Sequence, residues 1–125
     1  MSKNKNILEF KDGEIAGEIG HPIIRIAIKA SSGRVRYRVH TLKGKWLPYV
    51  SGYDLNDSKS GYAGNDYPID CIQVKHSSAM TKYRVSPLNS EFFSYQLGEE
   101  TSNNMEGYSG IFGKEIDRFE LTQNN

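Results

Sequence analysis

Gly61-Tyr62-Ala63-Gly64-Asn65-Asp66-Tyr67-Pro68-Ile69-Asp70-Cys71-Ile72-Gln73-Val74 joins a glycine turn to an apolar strand, and altered copies occur upstream and downstream. The upstream copy reads Glu14-Ile15-Ala16-Gly17, then Gly20-His21-Pro22-Ile23-Ile24-Arg25-Ile26-Ala27-Ile28. The downstream copy reads Gly107-Tyr108-Ser109-Gly110, then Gly113-Lys114-Glu115-Ile116-Asp117-Arg118-Phe119-Glu120-Leu121. Ile15, Tyr62 and Tyr108 correspond at offsets of 47 and 46, and Ile23, Ile69 and Ile116 at 46 and 47. A fixed period in this range marks a repeat architecture, in which each unit buries its apolar face only against its neighbours.

Working outward, Arg34-Val35-Arg36-Tyr37-Arg38-Val39-His40 has period 2, with Val35, Tyr37 and Val39 on one face and arginines on the other. Lys82-Tyr83-Arg84-Val85 repeats its centre at an offset of 46. Trp46-Leu47-Pro48-Tyr49-Val50 reads as a short strand, at an edge or bulged because Pro48 has no amide hydrogen, and Phe92-Phe93-Ser94-Tyr95 repeats it. In the first copy, Ile24, Ile26 and Ile28 are expected to face the core, and their strand to form a hairpin with Arg34–His40. No segment has a helical period. The expected fold is therefore all-β, a single domain over residues 1–125, built from repeats at 7–29, 33–75 and 81–122. Pseudo-threefold closure as a β-trefoil or β-prism removes sheet edges, with an unsymmetrical sandwich as the other option.

The first repeat is incomplete. Ile7 and Phe10 share the spacing of Trp46 and Tyr49, but nothing before them matches Arg36-Tyr37-Arg38-Val39. The missing strand is expected to be supplied by an upstream domain or by a neighbouring copy of the chain, which allows a homo-oligomer.

Composition narrows the function. A formal charge of +1 with no basic run gives no electrostatic reason to expect nucleic acid or an anionic membrane. The lone Cys71 rules out an internal disulfide, and its apolar strand suits a buried thiol. There is no secretory signal and no apolar run of about 18 residues, so the chain as given is not expected to export itself. No catalytic set is legible: His21, His40 and His76 fall at different repeat positions. Asp70 and Asp117 recur but abut the core strand, where bonding to turn backbone is the expected role. Asp54-Leu55-Asn56-Asp57-Ser58 starts like a calcium loop, but Lys59 and Asn65 stand where Gly and Glu are needed. No metal or cofactor is expected.

Binding remains. A sugar shows C–H faces that an aromatic ring covers and hydroxyl edges that Asp or Asn satisfies. Trp46, Tyr49, Tyr53 and Tyr62 lie near Asp54, Asn56 and Asp57, and Phe92, Tyr95 and Tyr108 form the counterpart set. These are the candidate ligand-binding residues, although recurring aromatics also serve as core packing. Arg36, Arg38 and Arg84 form an outward basic face that would suit anionic wall polymers or peptide-stem carboxylates, with a solvated strand face as the expected reading. Weak sites displayed in multiple copies on a polymer gain avidity without new contacts.

The Ile-Ala-Gly after Lys11-Asp12-Gly13, the strand ending Ile26-Ala27-Ile28, Tyr37-Arg38-Val39-His40, and Trp46 with Tyr49-Val50 resemble the clostridial hydrophobic repeats with a conserved tryptophan. They are also similar to the tyrosine- and glycine-rich tails of clostridial and bacteriophage peptidoglycan hydrolases. The similarity spans roughly residues 7–121, with Tyr49 where the family has a second tryptophan. The resemblance implies a non-catalytic module that holds an upstream endolysin or autolysin domain on peptidoglycan or wall polysaccharide. It would act at the bacterial cell wall, as part of a longer protein or after holin-dependent release. Alternatives are a lectin-like host-glycan module of a toxin or adhesin, and an oligomerisation domain.

Overall fold

The computed structural model describes residues 7–8, 15–28, 34–53, 56, 57, 59, 61–77, 80–98 and 107–124. Its strands are β1 (Ile7–Leu8), β2 (Ile15–Gly17), β3 (Arg25–Ile26), β4 (Val35–Thr41), β5 (Ile69–His76), β6 (Met80–Pro87), β7 (Gln96–Leu97), β8 (Ser109–Gly110) and β9 (Ile116–Asn124). No helix occurs among the described residues. The chain is all-β, in sheets ordered β1-β3, β2-β9-β6-β7 and β4-β5-β8.

Two long antiparallel pairs form the frame. In β4–β5, Tyr37 faces Val74 and Val39 faces Ile72. In β6–β9, Tyr83 faces Leu121 and Val85 faces Phe119. Both ladders bulge at equivalent points, His40/Thr41 and Ser86/Pro87. A bulge bends its strand and ends regular pairing. Each glycine turn then pairs with the core strand of a different repeat: Ala63 with Ile26, Ser109 with Ile72, and Ala16 with Phe119. Ile23, Ile69 and Ile116 are all fully buried. The Ile23 amide donates to the Ile116 carbonyl at 3.0 Å, and the Ile69 amide to the Ile23 carbonyl at 2.9 Å.

The glycines of the turns are required by closeness of approach. A Cβ on Gly64 would lie 2.3 Å from the Ile24 carbonyl oxygen, and one on Gly110 2.1 Å from that of Asp70. Their φ angles, 133° and 121°, are also poorly accessible to other residues. Tyr37 and Tyr83, both fully buried, tie the turns and loops to the core. The Tyr37 hydroxyl donates to Gly52 O at 2.7 Å and accepts from the Ile28 amide at 3.2 Å. The Tyr83 hydroxyl donates to Gly98 O at 2.5 Å. Burial pushes the Tyr37 hydroxyl up to about 12, against the Ile28 hydrogen bond, which favours the phenolate.

Several local expectations need correction. β4 pairs with β5, so the expected β3–β4 hairpin is not formed. Ile69 to Val74 is buried on both strand faces, and β5 is the central strand of its sheet, with β4 on one edge and β8 on the other. In the first repeat Ile23, Ile26, Ala27 and Ile28 are buried while Ile24 is only half-buried. The regular alternation fails because β3 spans only Arg25–Ile26. Trp46–Val50 is not a strand. It touches β4 by single bridges at His40–Trp46 and Tyr37–Val50, with Pro48 between them. At the incomplete repeat, β1 pairs with β3 as β4 does with β5, but in parallel and over two residue pairs.

Candidate functional site

Trp46 and Tyr49 run alongside the outward face of β4, from which Arg36 and Arg38 project. The Arg38 guanidinium lies 4.6 Å from the Trp46 ring centre and 4.8 Å from that of Tyr49, and Arg36 lies 4.6 Å from Tyr49. Arg38 Nε and the Tyr49 hydroxyl both donate to Gln73 Oε1, at 2.8 and 2.6 Å. The third repeat reproduces this. Arg84 lies 4.5 Å from both Phe92 and Tyr95, and Lys82 4.4 Å from Tyr95. Arg84 Nε and the Tyr95 hydroxyl donate to Glu120 Oε1 at 2.6 and 2.7 Å. Desolvation raises the Tyr95 hydroxyl above its usual range, and the hydrogen bond to the Glu120 carboxylate adds to the shift. The arginine face read as solvated is therefore a cation–π ladder. It covers ring faces of Trp46, Tyr49, Phe92 and Tyr95, so much of their surface is frame.

A second cluster is built where repeat two meets repeat three. His40, Tyr108 and Phe112 have near-parallel rings: His40 to Phe112 is 4.1 Å at 17°, and Tyr108 to Phe112 is 5.6 Å at 8°. Trp46 stands across their edges, at 74° to His40, 79° to Tyr108 and 76° to Phe112. Edge-to-face contacts of this kind suit the ring quadrupoles. Phe112 remains 51% exposed and its neighbour Ile111 45%.

Asp70 holds this cluster from below. It is fully buried, with Oδ1 2.7 Å from His40 Nδ1 and Oδ2 accepting from the Gly113 amide at 2.8 Å. One carboxylate thus fixes the His40 ring and the turn that carries Phe112. Asp117 is the counterpart: Oδ1 accepts from the Ser86 hydroxyl at 2.8 Å, and Oδ2 from the Gly20 and Asn89 amides at 2.8 and 2.9 Å. Desolvation alone would raise Asp117, but the Asn89, Gly20 and Ser86 hydrogen bonds and the Arg118 charge outweigh it and hold the carboxyl below its usual range. Both aspartates bond turn backbone, the role their position predicts. Where the first repeat has Ile24 in place of an aspartate, the turn has Tyr67 in place of glycine, and the Tyr67 amide bonds Asn65 Oδ1 instead, at 3.3 Å.

The expected binding residues thus divide. Trp46 and Tyr108 join the exposed-edge cluster, and Tyr49, Phe92 and Tyr95 belong to the ladders. Tyr62 is buried, with Arg25 4.9 Å from its ring and Arg25 Nε bonded to Asp66 at 2.6 Å. Asp57 shapes its own loop, accepting the Lys59 amide at its side chain and the Gly61 amide at its carbonyl. Tyr53 is half-buried and Asn56 exposed, while Asp54 lies outside the described residues. Phe112, His40 and Arg38 were not among the expected ligand residues. The signal for His40 was its equivalence to Ser86 at an offset of 46, each on the strand opposite a recurring aspartate. Phe112 had none, since Asp66 and Ile19 occupy its equivalent positions.

Among the described residues no group of three His, Cys, Asp or Glu side chains converges as a metal site would require. No protein-family model matches the chain, and no curated protein and no solved structure matches it significantly.

Proposed function

We propose that the chain is a non-catalytic cell-wall-binding module that brings a separate endolysin or autolysin domain to peptidoglycan or wall polysaccharide of Gram-positive bacteria. The observation that carries this reading is the Trp46–Tyr108–Phe112 cluster: the partly buried Trp46 and Tyr108 rings back Phe112, which is 51% exposed on a turn anchored by Asp70. A preordered aromatic face loses little entropy on meeting the C–H face of a sugar, which is what a weak anchor on a dense polymer needs. The resemblance of the sequence to the clostridial repeats supports the bacterial wall as the polymer.

We further propose that the repeats are related by a pseudo-threefold axis, as in a β-trefoil or β-prism. Supporting this are the cyclic pairings Ile26–Ala63, Ile72–Ser109 and Phe119–Ala16, and the isoleucine contacts between repeats. Self-association through the first repeat is a second reading, favoured by the two-residue β1, which covers little of the edge that β4 covers in repeat two.

The test is co-sedimentation of the fluorescently labelled chain with purified sacculi, before and after wall polysaccharide is stripped. Retention that Phe112→Ala weakens by about tenfold, roughly 1.4 kcal/mol, is the expected result. A chain that stays in the supernatant with every wall refutes the reading. Loss on stripping assigns the ligand to the polysaccharide, and retention assigns it to peptidoglycan.

A further inference from the structure

We propose that the open end of the β4–β5 ladder is a binding pocket for a phosphate group carried on a sugar or polyol. The cavity measures about 300 Å³ and is lined by Arg34, Arg36, Ser51, Lys75, His76 and Ser77 around Val35. That volume lies at the lower end of small-molecule sites, of order 300 Å³ upward. No carboxylate lines it among the described residues.

The third repeat is an internal control. Its equivalents of Arg34, Arg36, Lys75 and His76 are Met80, Lys82, Thr122 and Gln123. They occupy the same kind of ladder: Arg36 faces Lys75 as Lys82 faces Thr122, and Val35 faces His76 as Thr81 faces Gln123. The sheet therefore forms without the basic set. Arg36 stands directly opposite Lys75 in the ladder, which brings two cationic side chains to one cross-strand position. Arg36 is partly positioned by its contact with Tyr49. With a chain charge of only +1, Arg34, Arg36 and Lys75 are a local concentration of positive charge rather than a general excess.

The chemistry matches a phosphate ester. Guanidinium groups offer paired N–H donors at the spacing of phosphate oxygens, Lys75 adds a point charge, and serine hydroxyls supply further donors. The aliphatic stems of arginine and lysine form walls suited to the carbon skeleton that carries the phosphate. The inference does not depend on the wall-binding reading, since none of the residues lining the pocket belongs to the Phe112 cluster, which stacks on His40 toward the other end of β4.

The test is a two-dimensional NMR titration of the full chain with glycerol 1-phosphate, with glycerol and glucuronate in parallel. Glycerol 1-phosphate is expected to give saturable shifts at the pocket amides at millimolar concentration, weakening as salt rises, with glycerol silent and glucuronate weaker. The triple variant Arg36→Lys, Lys75→Thr, His76→Gln, which installs the third repeat's residues at three of these four positions, should lose the saturable response, and Phe112→Ala should keep it. No saturable shift in the unsubstituted chain, an undiminished response in the triple variant, or an equal response to glucuronate would each overturn the proposal. Failure of Phe112→Ala to affect wall sedimentation bears only on the wall-binding reading.

Discussion

Replacing Asp70 by alanine tests whether the buried carboxylate holds the aromatic cluster. It removes acceptors from His40 Nδ1 and from the Gly113 amide, at 2.7 and 2.8 Å. His40 is buried, so its ring nitrogen has no ready water, and an orphaned buried group costs about 1–3 kcal/mol. Gly113 is exposed, so water replaces its partner and only the net worth of one bond, about 1 kcal/mol, is lost. The sum is about 3 kcal/mol. With a urea m-value of about 1.5 kcal/mol/M, the unfolding midpoint should fall by about 2 M. Trp46 is the chain's single tryptophan and packs edge-on to three of the rings involved, so its fluorescence reports the site as well as unfolding. Asp70→Ala should red-shift Trp46 emission before unfolding begins. Asp70→Asn keeps an acceptor for Gly113 and an amide for the other His40 tautomer, and should cost much less. An unmoved midpoint, or a large loss of stability with unchanged native Trp46 emission, would refute the linkage between Asp70 and the cluster.

Other outcomes follow from the same geometry. Gly64→Ala and Gly44→Ala both place a side chain at positive φ, but only Gly64 has a carbonyl within 2.3 Å of the new Cβ, whereas Gly44 meets nothing within 4 Å. Thermal unfolding should show a loss of about 1 kcal/mol for Gly44→Ala and about 3 kcal/mol or more for Gly64→Ala. Tyr37 keeps its proton in the fold up to about 12 against an ordinary value of 10.0, so the unfolded chain releases that proton first. Stability should therefore fall above pH ~10 by about 1.4 kcal/mol per unit until pH ~12, and urea unfolding of Tyr37→Phe should lack this alkaline slope. Asp117 is depressed in the fold, so its contribution is present above the ordinary aspartate range near 4 and is lost as pH falls through the lower folded value. Asp117→Asn should flatten that acid limb in circular dichroism.

The all-β class was legible in the period-2 strands and the absence of any helical period, and the turn role of Asp70 and Asp117 in their recurrence beside the core strand. Strand partners were not. Alternation shows which residues share a face, yet Val35, Tyr37 and Val39 alternate equally well whether β4 pairs with β3 or with β5. The pairing with β5, which is buried on both faces and central in its sheet, is a property of the packed chain. The arginine ladder was half legible. The outward arginines and the recurring aromatics are both plain in the sequence, but their interleaving depends on Trp46–Val50 lying along β4. Phe112 was hidden because its value lies in a contact with His40 across 72 positions, with no copy elsewhere to mark it.

Avidity among equal sites, the sequence-level argument for an anchor, meets a difficulty in the structure. The frame recurs, but the equivalent exposed positions differ: Phe112 at one junction, Ile19 at another, and Asp66, held by Arg25, at the third. Beneath them, His40 corresponds to Ser86. An aromatic pair, an isolated isoleucine and an ion pair do not present the same face to one sugar. If Phe112 and Trp46 carry the binding, a short wall fragment should bind at one site per chain, with Phe112→Ala removing it and Ile19→Ala leaving it intact. Isothermal titration with fragments too short to bridge junctions gives the stoichiometry directly. Three equivalent sites per chain would refute the single-junction argument and return the function to the recurring ladders, where Tyr49, Phe92 and Tyr95 would have to bind despite the cations over their rings.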